Sequence, residues 1–249
     1  MYFLEDTCMP SDEAEISFCE DTLELNVLNH KALNILGIYE QEMYVEDGEG
    51  SSSSDGVFQK LQSAILSILG KIGNIVTGFL DGMKVFSKNR ITYGDYINSE
   101  TGQIRLSDDL FAIQKKLDDE YRRMRPVISK IAQMTDSDIE QVEKICDTVT
   151  ENIHNYGRIY GSMAVQIVEA RAINELSNHI VDQMKDVQQW RAETEASIKR
   201  MQRETSPKKM KTTQKAVKTM GDLATAYKDL GNRAKNALQN DINKKKGGK

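Results

Sequence analysis

Apolar residues recur at alternating steps of three and four in three stretches of this chain, and this spacing constrains its fold more than any other feature. The first stretch begins at Phe58 and ends at Phe79, the second lies within residues 139–167, and the third lies within 220–238. This spacing places apolar side chains on one face of an α-helix. The chain is therefore predicted to form long amphipathic helices whose apolar faces need partners.

Composition agrees with long helices. Only three prolines occur in 249 residues, 6% of residues are aromatic and 29% are charged. Few helix breakers and few large rings favour narrow apolar faces over a deep core. We predict a mainly α protein whose long amphipathic helices form an elongated helical bundle or coiled-coil-like assembly. The exception is a small β-hairpin near residues 91–106, where β-favouring residues flank the turn-forming sequence NSETG.

Four segments follow from the pattern. Residues 1–56 form an acidic N-terminal arm that ends in a Gly/Ser linker, and residues 57–106 form an amphipathic helix, capped by Asp55, plus the hairpin. Residues 107–206 form a long helical region that starts near Ser107. Within it, one helix starts at Thr135 and continues until Pro207 ends it, unless Gly157 and Gly161 interrupt it. Residues 207–249 form a basic C-terminal helix and tail.

Charge is distributed unevenly. Residues 1–56 carry fourteen acids and one base, a net charge of −13, and residues 199–249 carry four acids and fifteen bases, a net charge of +11. An acidic head and a basic tail suggest interaction segments with different partners. The tail could contact nucleic acid, remain as a solvated face, or attract the acidic head of a neighbouring chain. The lysines of the nucleic-acid alternative are Lys208, Lys209, Lys211, Lys215, Lys218, Lys244, Lys245 and Lys246.

No pattern of an enzyme is visible, and we predict a non-enzymatic protein without metal or cofactor. The sequence contains no G-x-S-x-G elbow, no H-E-x-x-H pair and no phosphate-binding G-x-x-x-x-G-K-[ST] loop. His30, His154 and His179 are scattered. Three irregularly spaced cysteines indicate a reduced intracellular protein. No basic segment precedes an apolar one near residue 1, so no secretory signal peptide is expected.

The helix from Phe58 to Phe86 is the most apolar stretch. Lys71 and several polar residues interrupt it, so we do not expect it to span a membrane as a single helix. Two alternatives stay open, packing against protein or lying on a membrane surface, and its glycines favour close helix contact. The residues predicted to face a partner or a membrane are Phe58, Leu61, Ile65, Ile68, Leu69, Ile72, Ile75, Val76, Phe79 and Leu80.

A second apolar face is predicted to form the contact between copies of the chain. It consists of Ile139, Val142, Val149, Ile153, Tyr156, Tyr160, Met163 and Ile167. One helix cannot bury such a face alone, so a homo-oligomer is expected.

In layout the chain resembles the internal or scaffold-like structural proteins of tailed bacteriophages. An acidic head ends in a Gly/Ser stretch, then FQKLQSAILSILGKIGNIVTGFL precedes long polar helices and a Lys-rich end. The resemblance implies a structural component of the capsid interior or portal vertex, with other virion proteins as partners, located in the virion and in the host cytoplasm during assembly. It also implies a candidate processing site at Glu49. The alternatives are a membrane-active helical protein that uses residues 58–86 and a packaging protein that contacts nucleic acid through its basic tail.

Overall fold

The computed structural model describes residues 52–92, 102–106, 109–159, 166–201 and 205–247. Residues 1–53 and 54–249 form two separate compact units, and nearly all of the described residues belong to the second. The predictions for the acidic arm, Glu49 and residues 93–101 therefore lie outside the described residues, as do Tyr160 and Met163.

Five α-helices make up most of the described chain, which confirms the prediction of a mainly helical protein. They are α1 (Ser52–Thr92), α2 (Leu110–Ser129), α3 (Ile139–Ile159), α4 (Ala170–Arg200) and α5 (Pro207–Gly247). A short 3-10 turn, Ile131–Gln133, follows α2.

Local chemistry explains two of the helix starts, of which only the one near Ser107 was predicted. Asp109 caps α2, because its carboxylate accepts a hydrogen bond from the backbone N–H of Ala112 at 3.0 Å. Pro207 was expected to end a helix, but it is the first residue of α5, where its fixed φ and missing N–H are tolerated. Ser206 caps that helix by accepting from the N–H of Lys209 at 3.2 Å. Asp55 lies inside α1, which begins at Ser52, so its predicted capping role is wrong.

The long helix predicted between Thr135 and Pro207 is interrupted near the two glycines that the sequence offered as an alternative, Gly157 and Gly161. Helix α3 ends at Ile159, and a strand, β2 (Gln166–Glu169), precedes α4. This strand pairs with β1 (Gln103–Leu106) in an antiparallel two-stranded sheet, with Gln103 opposite Glu169. The chain thus has the small sheet that was expected, but β1 pairs with a strand far along the sequence rather than within a local hairpin. Ile91 and Thr92 end α1 instead.

Helix α5 contacts each of the other four helices. Its contacts with α3 keep a nearly constant sequence separation: Thr212 binds Glu143, Lys215 binds Asp147 and Thr219 binds Thr150. The two helices therefore run parallel, with contacts repeating every three or four residues. Helices α2 and α4 run antiparallel to α5. On α2, Asp118 meets Tyr227, while the later Ile128 lines a cavity with the earlier Met220. On α4, Ile180 lies against Gly231, while the later Trp190 lines that cavity with Met220.

Candidate interaction surface on the first helix

The apolar face of α1 is buried within the chain. Of the residues predicted to face a partner or a membrane, Ile75 and Leu80 are half-buried. The buried ones are Phe58, Leu61, Ile65, Ile68, Leu69, Ile72, Val76 and Phe79. In the structure this face therefore meets protein of the same chain.

Glycines of α5 allow α1 to approach closely. A Cβ atom at Gly231 would lie 2.5 Å from Cζ of Phe79, and one at Gly221 would lie 3.4 Å from Cγ1 of Ile72. Real Cβ atoms do not come as close as the first of these distances. Absence of a side chain at Gly231 thus makes room for the Phe79 ring.

Polar groups of α4 hold the other side of α1. The side-chain amide of Gln62 donates to the carbonyl of Ile198 at 2.8 Å. The guanidinium of Arg191 lies over Gly73, where an added Cβ would be 3.1 Å from Cζ. Arg191 also forms an ion pair with Glu195. Hydrogen bonds from Lys199 first, and then from Arg191, lower the pKa of the Glu195 carboxyl.

The outward face of α1 carries only small side chains along its middle. Its exposed positions follow the helical spacing and are Ser63, Ser67, Gly70, Asn74, Thr77 and Gly78. A Cβ atom at Gly70 or Gly78 would have no neighbour within 4 Å. We call these six residues the outer stripe. Exposed Lys60 lies before it and exposed Asp81 after it, where Asp81 pairs with Lys84 at 2.8 Å.

By length and composition alone, Gly56–Lys84 qualifies as a membrane-spanning helix, despite the expectation drawn from Lys71. The core helix of a water-soluble protein passes the same test, and 44% of the most apolar window is buried here. The described arrangement of α1, with its apolar face against α4 and α5, is that of a core helix.

The second predicted interface is divided by the structure. Ile139, Val142 and Val149 are buried on α3, and Ile153 and Tyr156 are half-buried there. Ile167 does not extend this face, because it lies in β2 and is 59% exposed. Helix α5 of the same chain covers much of the α3 face.

The basic region of the sequence has an acidic neighbour inside the fold. Lys215 forms an ion pair with Asp147 of α3 at 2.7 Å, and Thr212 donates to Glu143 at 2.7 Å. Lys209, Lys211 and Lys218 are half-buried, whereas Lys208 and Lys244 are exposed near the two ends of α5. Lys245 and Lys246 lie in α5, and nothing is described of their side chains. Pairing with α3 was not among the expected explanations of the basic charge.

Two carboxylates of α2, the buried Glu120 and the half-buried Asp118, connect that helix to α3, α4 and α5, and both were missed from the sequence. Glu120 is 2% exposed and accepts hydrogen bonds from Asn152 at 2.8 Å and Tyr156 at 3.1 Å. Asp118 accepts from the hydroxyl of Tyr227 at 2.8 Å and lies 2.9 Å from Nε2 of His179. The signal in the sequence was the acidic run DDE on a helix whose apolar positions continue through it.

The phenols in this network are hydrogen-bond donors that stay protonated. Burial first, and then the charge of Glu120, raises the pKa of Tyr156 to about 12. Burial and the nearby Asp118 raise the pKa of Tyr227 still further. Burial likewise raises the pKa of the Cys146 thiol to about 11, so the thiolate needed for nucleophilic chemistry is disfavoured. Within the described ranges, no group of three or more His, Cys, Asp or Glu residues is placed to hold a metal ion.

No protein-family model, curated protein or solved structure matches this chain. Functional inference therefore rests on the surfaces and clusters of the molecule itself. Of these, the outer stripe is the most unusual, because large side chains are missing from an exposed stretch of more than four helical turns.

Proposed function

We propose that this chain is a non-enzymatic structural protein that assembles with copies of itself through α1, as a component of a bacteriophage capsid interior or portal vertex. The observation that supports it is the outer stripe. Small side chains on an exposed helix permit a second helix to approach closely, as in small-residue helix pairs. Layout of the sequence supports the viral assignment.

The charges that flank the outer stripe favour one orientation of such a pair. An antiparallel pair centred between Gly70 and Lys71 sets Lys60 opposite Asp81 of the other copy, and Ser67 opposite Asn74. A parallel pair in register would oppose each charge with its like, which is unfavourable. Antiparallel pairing of two α1 helices would join the helical bundles of two chains. The product would be the elongated helical assembly that the sequence predicts.

Sedimentation equilibrium over micromolar to 100 µM concentrations tests the association. We expect Gly70→Arg to weaken it strongly, whereas Ala196→Arg, at an exposed position of α4, serves as the matched control. Lys60→Glu and Asp81→Lys should each weaken association, and the double variant should restore it. A folded wild-type monomer throughout this range would contradict the proposal, as would equal effects of the two arginine variants.

Disulfide cross-linking tests the orientation. Native cysteines 8, 19 and 146 are first replaced by alanine. A mixture of Ser67→Cys and Asn74→Cys chains should then cross-link more than either variant alone. Stronger cross-linking within each single variant would indicate parallel pairing instead.

A membrane-active protein is the second candidate, and the length and apolarity of Gly56–Lys84 favour it. Flotation with neutral and anionic vesicles tests it. Ile68→Asp replaces a buried residue, and Ser67→Asp provides a matched exposed control on the same turn. Failure of the wild-type chain to float with either type of vesicle would remove this candidate.

A further inference from the structure

A small cavity that is open to solvent on one side lies between α2 and α4, with Met220 of α5 among its lining residues; its charged lining residues, Arg125, Asp186 and Glu193, are exposed. Its volume is about 150 Å³. This space accommodates a few water molecules or one small ligand group. It is too small for the ligands of most enzyme pockets, which occupy roughly 300 Å³ or more.

Aromatic rings and carboxylates line this cavity together. Tyr121 and Trp190 are each 9% exposed. Asp186, Trp190 and Glu193 lie at steps of four and three on α4, so one face of the helix presents all three. The side-chain amide of Gln189 donates to Glu193 at 2.9 Å and orients that carboxylate.

Charge in the cavity is negative on balance. Two of its lining residues, Asp186 and Glu193, are acidic, and one, Arg125, is basic. Asp186 lies close enough to the Tyr121 hydroxyl to add to the effect of burial in raising the pKa of that phenol. The negative charge of Asp186 therefore acts beside a ring that water hardly reaches.

We propose that this cavity binds a primary alkylammonium group, supplied either by a small free amine or by a lysine side chain of another protein. The ammonium would pair with Asp186 and Glu193, while the alkyl stem packs on Tyr121, Trp190 and Met220. Carboxylates attract the ammonium directly, and the rings and Met220 cover the apolar stem, as they do for the stem of a lysine whose charged end stays in water. Arg125 opposes the same cation, so it limits affinity. This site is independent of self-association through α1.

The experiment uses intrinsic fluorescence, because Trp190 is the one tryptophan of the chain. The full-length protein is titrated with n-butylammonium chloride at constant ionic strength, with n-butanol as the uncharged control. We expect a saturable fluorescence change with the amine and none with the alcohol. A second titration uses lysine blocked at both ends, and tighter binding of blocked lysine would identify a protein side chain as the natural ligand.

Variants test the assigned roles. The double variant Asp186→Asn with Glu193→Gln should weaken amine binding roughly tenfold, in line with the loss of two partly exposed charge pairs. Arg125→Gln should strengthen it. Glu175→Gln, at an exposed acid three turns away on the same helix, should leave it unchanged. Far-ultraviolet circular dichroism checks that each variant is folded. No saturable change with either amine, equal responses to butanol, or insensitivity to the double variant would overturn the proposal.

Discussion

Replacing Gly231 by alanine tests how closely α1 approaches α5. The new Cβ would lie 2.5 Å and 2.6 Å from two atoms of the Phe79 ring and 3.2 Å from Cγ2 of Ile180. Phe79 is 4% exposed, so its ring has little room to move. Overpacking of this kind costs about 1–3 kcal/mol, whereas Gly→Ala within a helix gains about 1 kcal/mol. We expect Gly231→Ala to lower the free energy of unfolding by about 0–2 kcal/mol.

Gly82 provides the matched control, because it lies on the exposed side of α1 and an added Cβ there has no neighbour within 4 Å. Gly82→Ala should therefore stabilise the protein by about 1 kcal/mol. Urea unfolding followed by circular dichroism measures both changes. A third variant combines Gly231→Ala with Phe79→Leu, which removes the obstructing ring atoms. The two substitutions should then cost less together than the sum of their separate effects. Equal stabilisation by both alanine variants would refute the close approach of Phe79 to α5.

Three further perturbations concern the buried polar groups. Glu120→Ala leaves the amide of Asn152 and the hydroxyl of Tyr156 without their acceptor and should cost about 1.5–3 kcal/mol in urea unfolding, against a smaller loss for Glu120→Gln. Tyr227→Phe removes a hydrogen bond to the charged Asp118 and should cost about 1.5–3 kcal/mol by the same assay. Burial, opposed by Lys218 and His154, raises the pKa of Asp222 to about 6. Because the folded state then binds this proton more tightly than the unfolded state, stability should fall as pH rises from about 4 to 6, by up to about 3 kcal/mol. In Asp222→Asn, the free energy of unfolding should no longer fall over this pH range. If it falls as steeply in the variant as in the wild type, Asp222 is not the group responsible.

Periodicity predicted the helices because burial follows the same spacing. Apolar steps of three and four located α1, α3 and α5, and the helix start expected near Ser107 lies two residues later, at the Asp109 cap. These features depend on residues within a few turns of one another, so a single sequence contains the information.

The predictions that were wrong concern features that depend on residues far away in the sequence. Strand β1 pairs with β2, more than fifty residues away, and the sequence near residue 91 gave no reason to expect that partner. Gly157 and Gly161 pointed to an interruption where α3 ends, but the sequence alone could not decide it, because Gly157 fits a helix as well as a break. Pro207 was taken for a stop although the preceding Ser206 is a good cap residue, a signal that was available and missed.

Surface assignments needed the structure most. The apolar face of α1 is the obvious candidate from sequence, yet the chain covers it with α4 and α5. The exposed face of α1 is the outer stripe. The spacing of apolar residues predicts only that this face is polar, and says nothing of its small side chains. The acids Asp118 and Glu120 likewise read as solvated charges until Tyr227 and Asn152 are placed against them.

The position of α5 has a consequence for synthesis on the ribosome. This helix contacts all of the other four, and it is made after each of them. At about 5–20 residues per second, the interval between the start of α2 and the end of α5 is on the order of ten seconds. During that time the apolar faces of the earlier helices lack their common neighbour and depend on chaperones or on transient pairing. A chain truncated before α5 would therefore lose the whole fold rather than one helix, and nascent chains would become resistant to proteases late and abruptly.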